Sequence, residues 1–525
     1  MGKLFAVLSG FCFVACAPSS FVETDDDSGG VVIGAEDTSG QEDNEEEDLE
    51  VDADGDGFST FDDCDDTNPS INPDALEDCE NGIDDNCNSV VDTDFECLSE
   101  CEKAVIGKSY LGCSFHALDL PNFETQKGFG IALANASQTE TAEVVISTMA
   151  GLEVDRILVP PGQTSTFEDT DREEVIAESG VSAKGYNIES DLPITAYQFN
   201  SLTTIGAAST DASLLFANHN LATDYFAMNY ESFFETDGFM AVHAIHDNTN
   251  VEVIPTSPVD DITTAVLMAG DTLLVQASGI GSDLTGSQVI ASEPVSVFGG
   301  NLCAQVPLGT PFCDHLEEQI FPRQALGQSY VLSKTSERQS CRAADHVRVM
   351  ADQDQTSIQF DPPLQTPITL DAGEFIEFPT QESVAIEGDK PFMVGQFIRS
   401  SNGDECAHEG DPSFILQVPT DQFRNDYVFL VPDTYDSNFI NVAAPPGANV
   451  TLDGVSVNLN PAPIGSSSFT VTEVPMQSGS HRLDSDAPVG ITVYGYGGPE
   501  GNGRVQNVSY GYPGGLNFVP INTIE

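Results

Sequence analysis

The chain has no tryptophan, and its 17 Lys and Arg stand against 85 Asp and Glu, a net charge of −68 over 525 residues. Nucleic-acid binding needs clustered basic side chains on phosphate, so this balance speaks against nucleic acid as a partner. It speaks equally against docking on anionic lipid by charge, and favours divalent cations, basic partners or solubility in a salty medium. No Lys or Arg occurs between Lys3 and Lys103. Beyond residue 15 no run is apolar and long enough to span a bilayer. A Gly-x-Ser-x-Gly elbow, a phosphate loop and HExxH are all missing, so no catalytic residue is assigned and the chain reads as non-enzymatic. Paired CxxC sets and neighbouring His clusters are missing too, which turns the cysteines away from zinc.

What is present begins with a signal. Lys3 and the apolar run Leu4–Ala15 read as a signal peptide over residues 1–15. Its end, Phe13-Val-Ala-Cys16, resembles a bacterial lipobox, with Phe13 where Leu is usual. That resemblance implies a lipid on Cys16 and places the chain at a bacterial outer membrane or cell surface, with plain secretion the alternative. Ala6 removes the N-myristoylation motif. Residues 16–50 are Ser, Gly, Asp and Glu with few apolar groups, an acidic linker unable to bury enough surface to order itself.

In residues 51–101 the acid acquires spacing. Asp52, Asp54 and Asp56 fall at positions 1, 3 and 5 of a loop with Gly57 at 6. The Phe58 carbonyl, Thr60 and Asp63 fall at 7, 9 and 12. Hard oxygens around a turn that Gly tolerates are what a calcium ion needs. Asp63 stands where Glu is usual, and Gly, Asn and Pro replace flanking helices. A second set, Asp84, Asn86, Asn88, the Val90 carbonyl and Asp92, repeats the alternate spacing without Gly at position 6. The run from Asp52 through Cys64-Asp-Asp-Thr-Asn-Pro to Asn81-Gly-Ile-Asp-Asp-Asn-Cys87 resembles the MopE-type metal-binding motif and is similar to thrombospondin type 3 calcium repeats. The motif's name points to copper, but the module holds no imidazole, and hard oxygens select calcium as the cofactor.

Apart from Cys12 and Cys16, ten cysteines remain: Cys64, Cys79, Cys87, Cys97, Cys101, Cys113, Cys303, Cys313, Cys341 and Cys406. An even number in an exported chain reads as disulfides. Their pairing stays open, with Cys303–Cys313 the first to expect because it closes one short connection.

The remainder, residues 102–525, is organised by a small-Asp-x-Pro-like step written four times: Ser190–Pro193, Ala291–Pro294, Gly388–Pro391 and Ser485–Pro488. The prolines lie 101, 97 and 97 residues apart, which marks a repeat. Pro cannot donate to a ladder, so the step predicts a turn and the first residue of a strand. Each repeat carries a Tyr near its start (Tyr110, Tyr225, Tyr330, Tyr427) and a β-branched strand in its middle; Gly162, Gly270 and Gly373 follow in the first three. Alternation dominates and no helical period is sustained, so the fold class is all-β: four repeats at about 107–201, 221–301, 326–401 and 424–498, then a closing strand at 508–525. The piece Glu318-Gln-Ile-Phe-Pro322 recurs as Leu416-Gln-Val-Pro419 and, more loosely, Leu214-Leu-Phe216. It is missing before the first repeat and left over after the last as Leu516-Asn-Phe-Val-Pro520. That offset predicts a propeller-like closed ring, with packed β-sandwiches as the alternative.

The repeats, above all Gly299-Gly-Asn-Leu-Cys303 and Cys313-Asp-His-Leu-Glu-Glu-Gln319, resemble the IgGFc-binding protein N-terminal domain family over most of 107–525. The resemblance implies extracellular adhesion to a protein or glycan, without catalysis. Asp314, His315, Glu317 and Glu318 either line a site or serve a connection between repeats, since acids recur at Asp211 and Asp411. His243 and His246, three apart on a strand, face opposite sides and cannot share one ion. Two other readings stay open: a polysaccharide hydrolase with paired carboxylates in the ring centre, and a structural envelope or matrix protein.

Overall fold

The computed structural model describes residues 51–92, 95–123, 128–202, 209–234, 237–260, 262–338, 343–401, 409–459, 461–497 and 507–524. The signal peptide, Cys16, the linker, Cys341 and Cys406 lie outside them. Contacts divide the chain into two compact units, Met1–Leu76 with Asp84–Ser89, and Glu77–Ile83 with Val90–Glu525. No helix among the described residues is long and apolar enough to cross a membrane. The α-helix of this structure, α1 (Glu100–Ile106), starts in a capping box between Ser99 and Glu102.

Apart from α1 and short single turns of helix, the larger unit is built of strands, and its first repeat sets the pattern. It comprises β1 (Gly112–Ala117), β2 (Phe129–Asn135), β3 (Ala142–Thr148), β4 (Glu153–Val159), β5 (Thr164–Asp169), β6 (Gly180–Ser182), β7 (Tyr186–Asn200) and β8 (Ala212–Leu215). The first half of β7 pairs with β1 and β3, and β3 with β4, forming an outer sheet. The second half pairs with β2 and β8, and β2 with β5, forming an inner sheet. One long strand therefore serves both layers of a sandwich. Burial follows the layer: β3 alternates buried and half-buried, as a sheet with one wet face should, whereas all seven residues of β2 are buried.

The other repeats reproduce this plan, with Gln288–Ala304 and Gly479–Tyr496 as the shared strands of the second and fourth. In the third, the shared strand is broken into Val384–Gly388 and Phe392–Ile398. In the first, second and fourth repeats the structure corrects the sequence expectation for the proline step, which lies inside the long strand; in the third, Pro391 directly precedes the strand Phe392–Ile398 as expected. Register with the Tyr-bearing edge jumps from Glu189 to Ile194, from Ile290 to Val295 and from Asp484 to Val489. Each skipped interval is the four-residue step. It is a bulge that carries the strand from one sheet to the other, where a residue without an N–H costs no ladder bond.

The repeat tyrosines close on the same joint. The hydroxyls of Tyr225, Tyr330 and Tyr427 donate to the carbonyls of Val295, Phe392 and Val489, each the residue after the proline. Each hydroxyl also accepts from the N–H three residues upstream. Tyr110 departs from this, bonding the backbone of Val428 in the fourth repeat through both N–H and carbonyl. Gly162, Gly270 and Gly373 all have positive φ, of 61°, 91° and 76°, in the turns where the sequence places them.

The four sandwiches close into a ring. Their last strands, β8, Asp314–Gln319, Ser413–Leu416 and Ser509–Pro513, touch in that cyclic order, and the fourth returns to the first. The spare piece fills the missing place. Asn517 bridges Ser109, and the Phe518 N–H donates to the Lys108 carbonyl. Phe518 then joins Phe216 and Phe321 in one aromatic cluster, with centroids 4.9 and 6.5 Å away. Few cations exist, and several sit buried between elements. Arg348 pairs with Asp283 of the second repeat at 2.7 Å and lies 4.3 Å over the Tyr230 ring.

Candidate functional site

The first acidic loop winds on its own carboxylates. Asp52 accepts from the N–H groups of Gly55 (2.6 Å) and Gly57 (3.1 Å), and Asp56 accepts from that of Phe58 (2.9 Å). Gly55 and Gly57 have φ of +84° and +109°, a backbone that a side chain resists. Asp54, Asp56 and Asp63 each hold the N–H two residues on with Oδ1 alone, which leaves Oδ2 for another partner. Carboxylate oxygens of Asp54, Asp56 and Asp63 lie within 4.8 Å of one another, and the Oδ2 atoms of all three are buried without a partner. Buried, unpartnered anionic oxygens at this spacing repel, and a cation is the group that would satisfy them. The Asp54 carboxyl is held above the usual carboxylate range by desolvation, with the charges of Asp56, Asp63 and Asp52 adding to it. These residues fit a hard divalent ion.

Asp66 is a residue that the twelve-position template missed. Its carboxylate joins those of Asp52 and Asp54 within 4.8 Å, and it accepts from the Ala53 N–H at 2.8 Å. It sits three residues past the template's end and is brought back by tertiary contact. Its place in the Cys64-Asp-Asp66 run is the only sequence signal. Phe58 is half-buried and Thr60 exposed, with the Thr60 N–H on the Val51 carbonyl. Cys64 and Cys87 lie beside Asp63 but are joined as a disulfide, so their sulfurs are not thiolate ligands and the donor set is oxygen.

The second set has the same turn without the glycine. Asp84 accepts from the N–H groups of Asn88 (3.1 Å) and Ser89 (2.8 Å), while Asn86 accepts from Asn88 (3.2 Å). Cys87 and Ser89, at positions 4 and 6, take φ of +58° and +74°, the sign of Gly55 and Gly57. Val90 is exposed, and both Asp92 oxygens accept from the Gly82 N–H. Further disulfides join Cys79–Cys97, Cys101–Cys113 and the expected Cys303–Cys313.

The acids near Cys313 lie at the ring centre, fully buried. Closing strands are sheet edges, and their outward N–H groups need acceptors in a dry place. Asp211 accepts from Ser413 Oγ (2.8 Å) and from the N–H groups of Phe414 (3.0 Å) and Glu317 (3.2 Å), tying three repeats together. Glu318 accepts from the Leu416 N–H (3.3 Å) and the Ser213 hydroxyl (3.1 Å), and Asp314 from the Thr210 N–H (2.6 Å). Burial pushes the carboxyls of Asp211, Asp314, Glu317 and Glu318 well above the usual range, with the charge of Asp411 adding at Asp314. His315 lies 3.1 Å from Glu317, and burial, then the Arg172 charge, pushes it down to about 3. His243 is buried against Thr272 at 2.9 Å while His246 is exposed.

Comparison with known proteins accords with both halves of this description. The model of the copper-binding MopE type of metal-binding motif matches residues 63–93. The model described as IgGFc binding protein matches residues 211–495. The IgGFc-binding protein of Homo sapiens is 23% identical over 393 residues, 70% of this chain and 7% of that protein. The chain thus spans about 7% of the length of that relative. Among solved structures, an anti-sigma factor domain-containing protein from Clostridium clariflavum has a TM-score of 0.10 at 9% identity, covering 76% of this chain and 99% of that one. A biofilm-associated protein BSP domain has a TM-score of 0.13 at 8% identity, covering 77% and 96%. Neither supports a shared fold. Residues 211–495 are more than half of the 525, and they hold the Gly299-Gly-Asn and Cys313-Asp-His segments that build the ring centre: the chain belongs to the IgGFc-binding protein family.

Proposed function

We propose that this protein is a non-catalytic, cell-surface adhesion protein, lipid-anchored through Cys16, that presents its ring of β-sandwiches to an extracellular protein or glycan. The acidic module is the stalk, and calcium stabilises it. The observations that carry the calcium reading are that carboxylate oxygens of Asp54, Asp56 and Asp63 lie within 4.8 Å of one another and that each of these residues has a buried Oδ2 without a partner. Hard anionic oxygens in a flexible loop suit calcium better than a softer metal, and the disulfide removes the nearby sulfurs as ligands. The adhesion reading is supported by family membership and by the name of the human relative, a binding protein.

The hydrolase alternative loses support at the ring centre. Asp211, Asp314, Glu317 and Glu318 have no exposed surface, and three of them hold backbone amides of a neighbouring repeat. A paired-carboxylate glycosidase needs both groups open to substrate. The test is calorimetric titration of the full chain with calcium, then protein and glycan arrays with and without the ion. Heat with ordering of the acidic module, and a ligand bound without turnover, are expected. Silence at millimolar calcium removes the calcium reading; hydrolysis of an arrayed polysaccharide removes the adhesion reading.

A further inference from the structure

The edge of the inner sheet is treated differently in different repeats. In the second repeat the strand equivalent to β5, Thr272–Gln276, has its outer side covered by β6, with Thr272 opposite Ser182 and Leu274 opposite Gly180. In the fourth, Thr470–Met476 is covered by Ala462–Pro463. In the third, Phe375–Thr380 lies against the second repeat, whose Tyr230 hydroxyl reaches Glu377 at 2.9 Å. In the first repeat no strand of the described residues pairs with the outer side of β5.

That bare edge faces a cleft. The Asn135 N–H donates to the Gln163 carbonyl at 3.0 Å, and Leu133 and Ile131 stand opposite Ser165 and Phe167. Antiparallel ladders alternate, so the odd-numbered residues bond β2, and the N–H and carbonyl groups of Thr164, Thr166 and Glu168 point outward. Thr164–Thr166 line a cavity of about 350 Å³ between the first and fourth repeats, with Leu202, Leu430 and Val431 in its wall. A neighbouring cavity of about 420 Å³ continues past Gly162 along Ser480–Arg482. Asp433, Asp453 and Asp484 line the two cavities against Arg482 as the one guanidinium. Arg482 is already paired with Asp484 at 2.7 Å and His481 with Asp453 at 2.8 Å, which leaves Asp433 as the lining acid without an ion pair among the described residues.

We propose that the outer edge of β5, in the cleft between the first and fourth repeats, takes an extended basic segment of a protein partner as an added β-strand. Backbone pairing gives affinity in such complexes, and alternate side chains give specificity. The chain shows in β6 and Ala462–Pro463 that extended segments of two or three residues suit the equivalent edges. The acidic lining selects a segment carrying Lys or Arg. This inference rests on the adhesion reading and commits it to protein as the ligand and to one seam as the site.

The test uses the full chain and a phage-displayed library of random twelve-residue peptides. Enriched peptides should be rich in Lys or Arg and in β-branched residues, and should slow amide exchange at Thr164, Thr166 and Glu168. Thr166→Pro removes an outward N–H without touching the β2 ladder, and should weaken the peptide at least tenfold. Asp433→Lys, on an exposed residue, should weaken it severalfold with melting unchanged, which covers the case in which the proline variant misfolds. The inference is overturned if no peptide is enriched, or if enriched peptides protect other amides and bind both variants as tightly as the parent. A protein captured on arrays that ignores both variants, or capture of glycan alone, leaves adhesion standing and removes this site; arrays that capture neither protein nor glycan remove both.

Discussion

Replacing Asp63 by Asn separates what a cation gains from the acidic loop and what the loop suffers without one. Asp63 is 7% exposed, its Oδ2 has no partner, and its carboxylate lies within 4.8 Å of those of Asp54 and Asp56. At that distance each like pair repels by about 0.9 kcal/mol in water's dielectric, so neutralising Asp63 relieves about 1.7 kcal/mol before salt screening. A divalent ion about 2.4 Å from a carboxylate oxygen gains about 3.5 kcal/mol from that charge on the same scale. The amide oxygen of Asn keeps part of the coordination, leaving a net loss of about 2 kcal/mol, or roughly thirtyfold in affinity. Repulsion is present with and without the ion, so the signs cross. Asp63→Asn should bind calcium about thirtyfold more weakly, and should melt at or above the parent in chelator. Calorimetry and melting of the full chain with and without calcium measure both arms. An unchanged calcium affinity, or a variant less stable than the parent in chelator, refutes the reasoning.

Three further outcomes follow from the geometry. Exchanging Cys64 and Cys87 for Ser opens a disulfide of separation 23, removing about 3 kcal/mol of chain-entropy stabilisation. It also frees Asp63, so calcium affinity should fall with it, and equal affinity in the double variant would show that the disulfide does not position the ligand. Tyr330→Phe leaves the buried Phe392 carbonyl without its hydroxyl donor and should cost about 1–3 kcal/mol in denaturant unfolding, a loss near zero counting against the clamp. Burial raises the Asp314 carboxyl above the unfolded value of about 3.9, so the native state holds that proton more tightly. The associated stability is complete below about pH 4 and is lost as pH rises through the raised folded value. Asp314→Asn should therefore gain on the parent between pH 4 and 8 in melting temperature, and a gap that is constant or of opposite slope would refute it.

Local chemistry made the larger part of this protein legible from its residues. The Asp52–Asp63 spacing announces the acidic turn, because Asx turns and positive-φ glycines act within a dozen residues. Period, alternation and the displaced Leu516–Pro520 piece were enough to call for an all-β ring of four repeats, because a strand removed from one end must be supplied from the other. Sequence reading misplaced the proline step in the first, second and fourth repeats, since a proline at a strand start and one at a bulge inside a strand satisfy the same local rule. Only the partner strands tell them apart. Ser89 likewise adopts the turn that seemed to require glycine, its strain carried by the carboxylate of Asp84.

The tertiary structure alone decided the rest. Asp66 joined the acidic cluster from outside the template because the fold returns it to Asp52 and Asp54. Asp211, Asp314, Glu317 and Glu318 became the ring's buried core because four strand edges meet there and their amides need acceptors that water cannot supply. The bare edge of β5 emerged only against its equivalents, two covered by a strand and one packed on the neighbouring repeat, since an edge is a property of a sheet and no single strand carries its mark. Residues that act on near neighbours in the chain announce themselves in sequence. Those that act by meeting distant strands acquire their role when the ring closes.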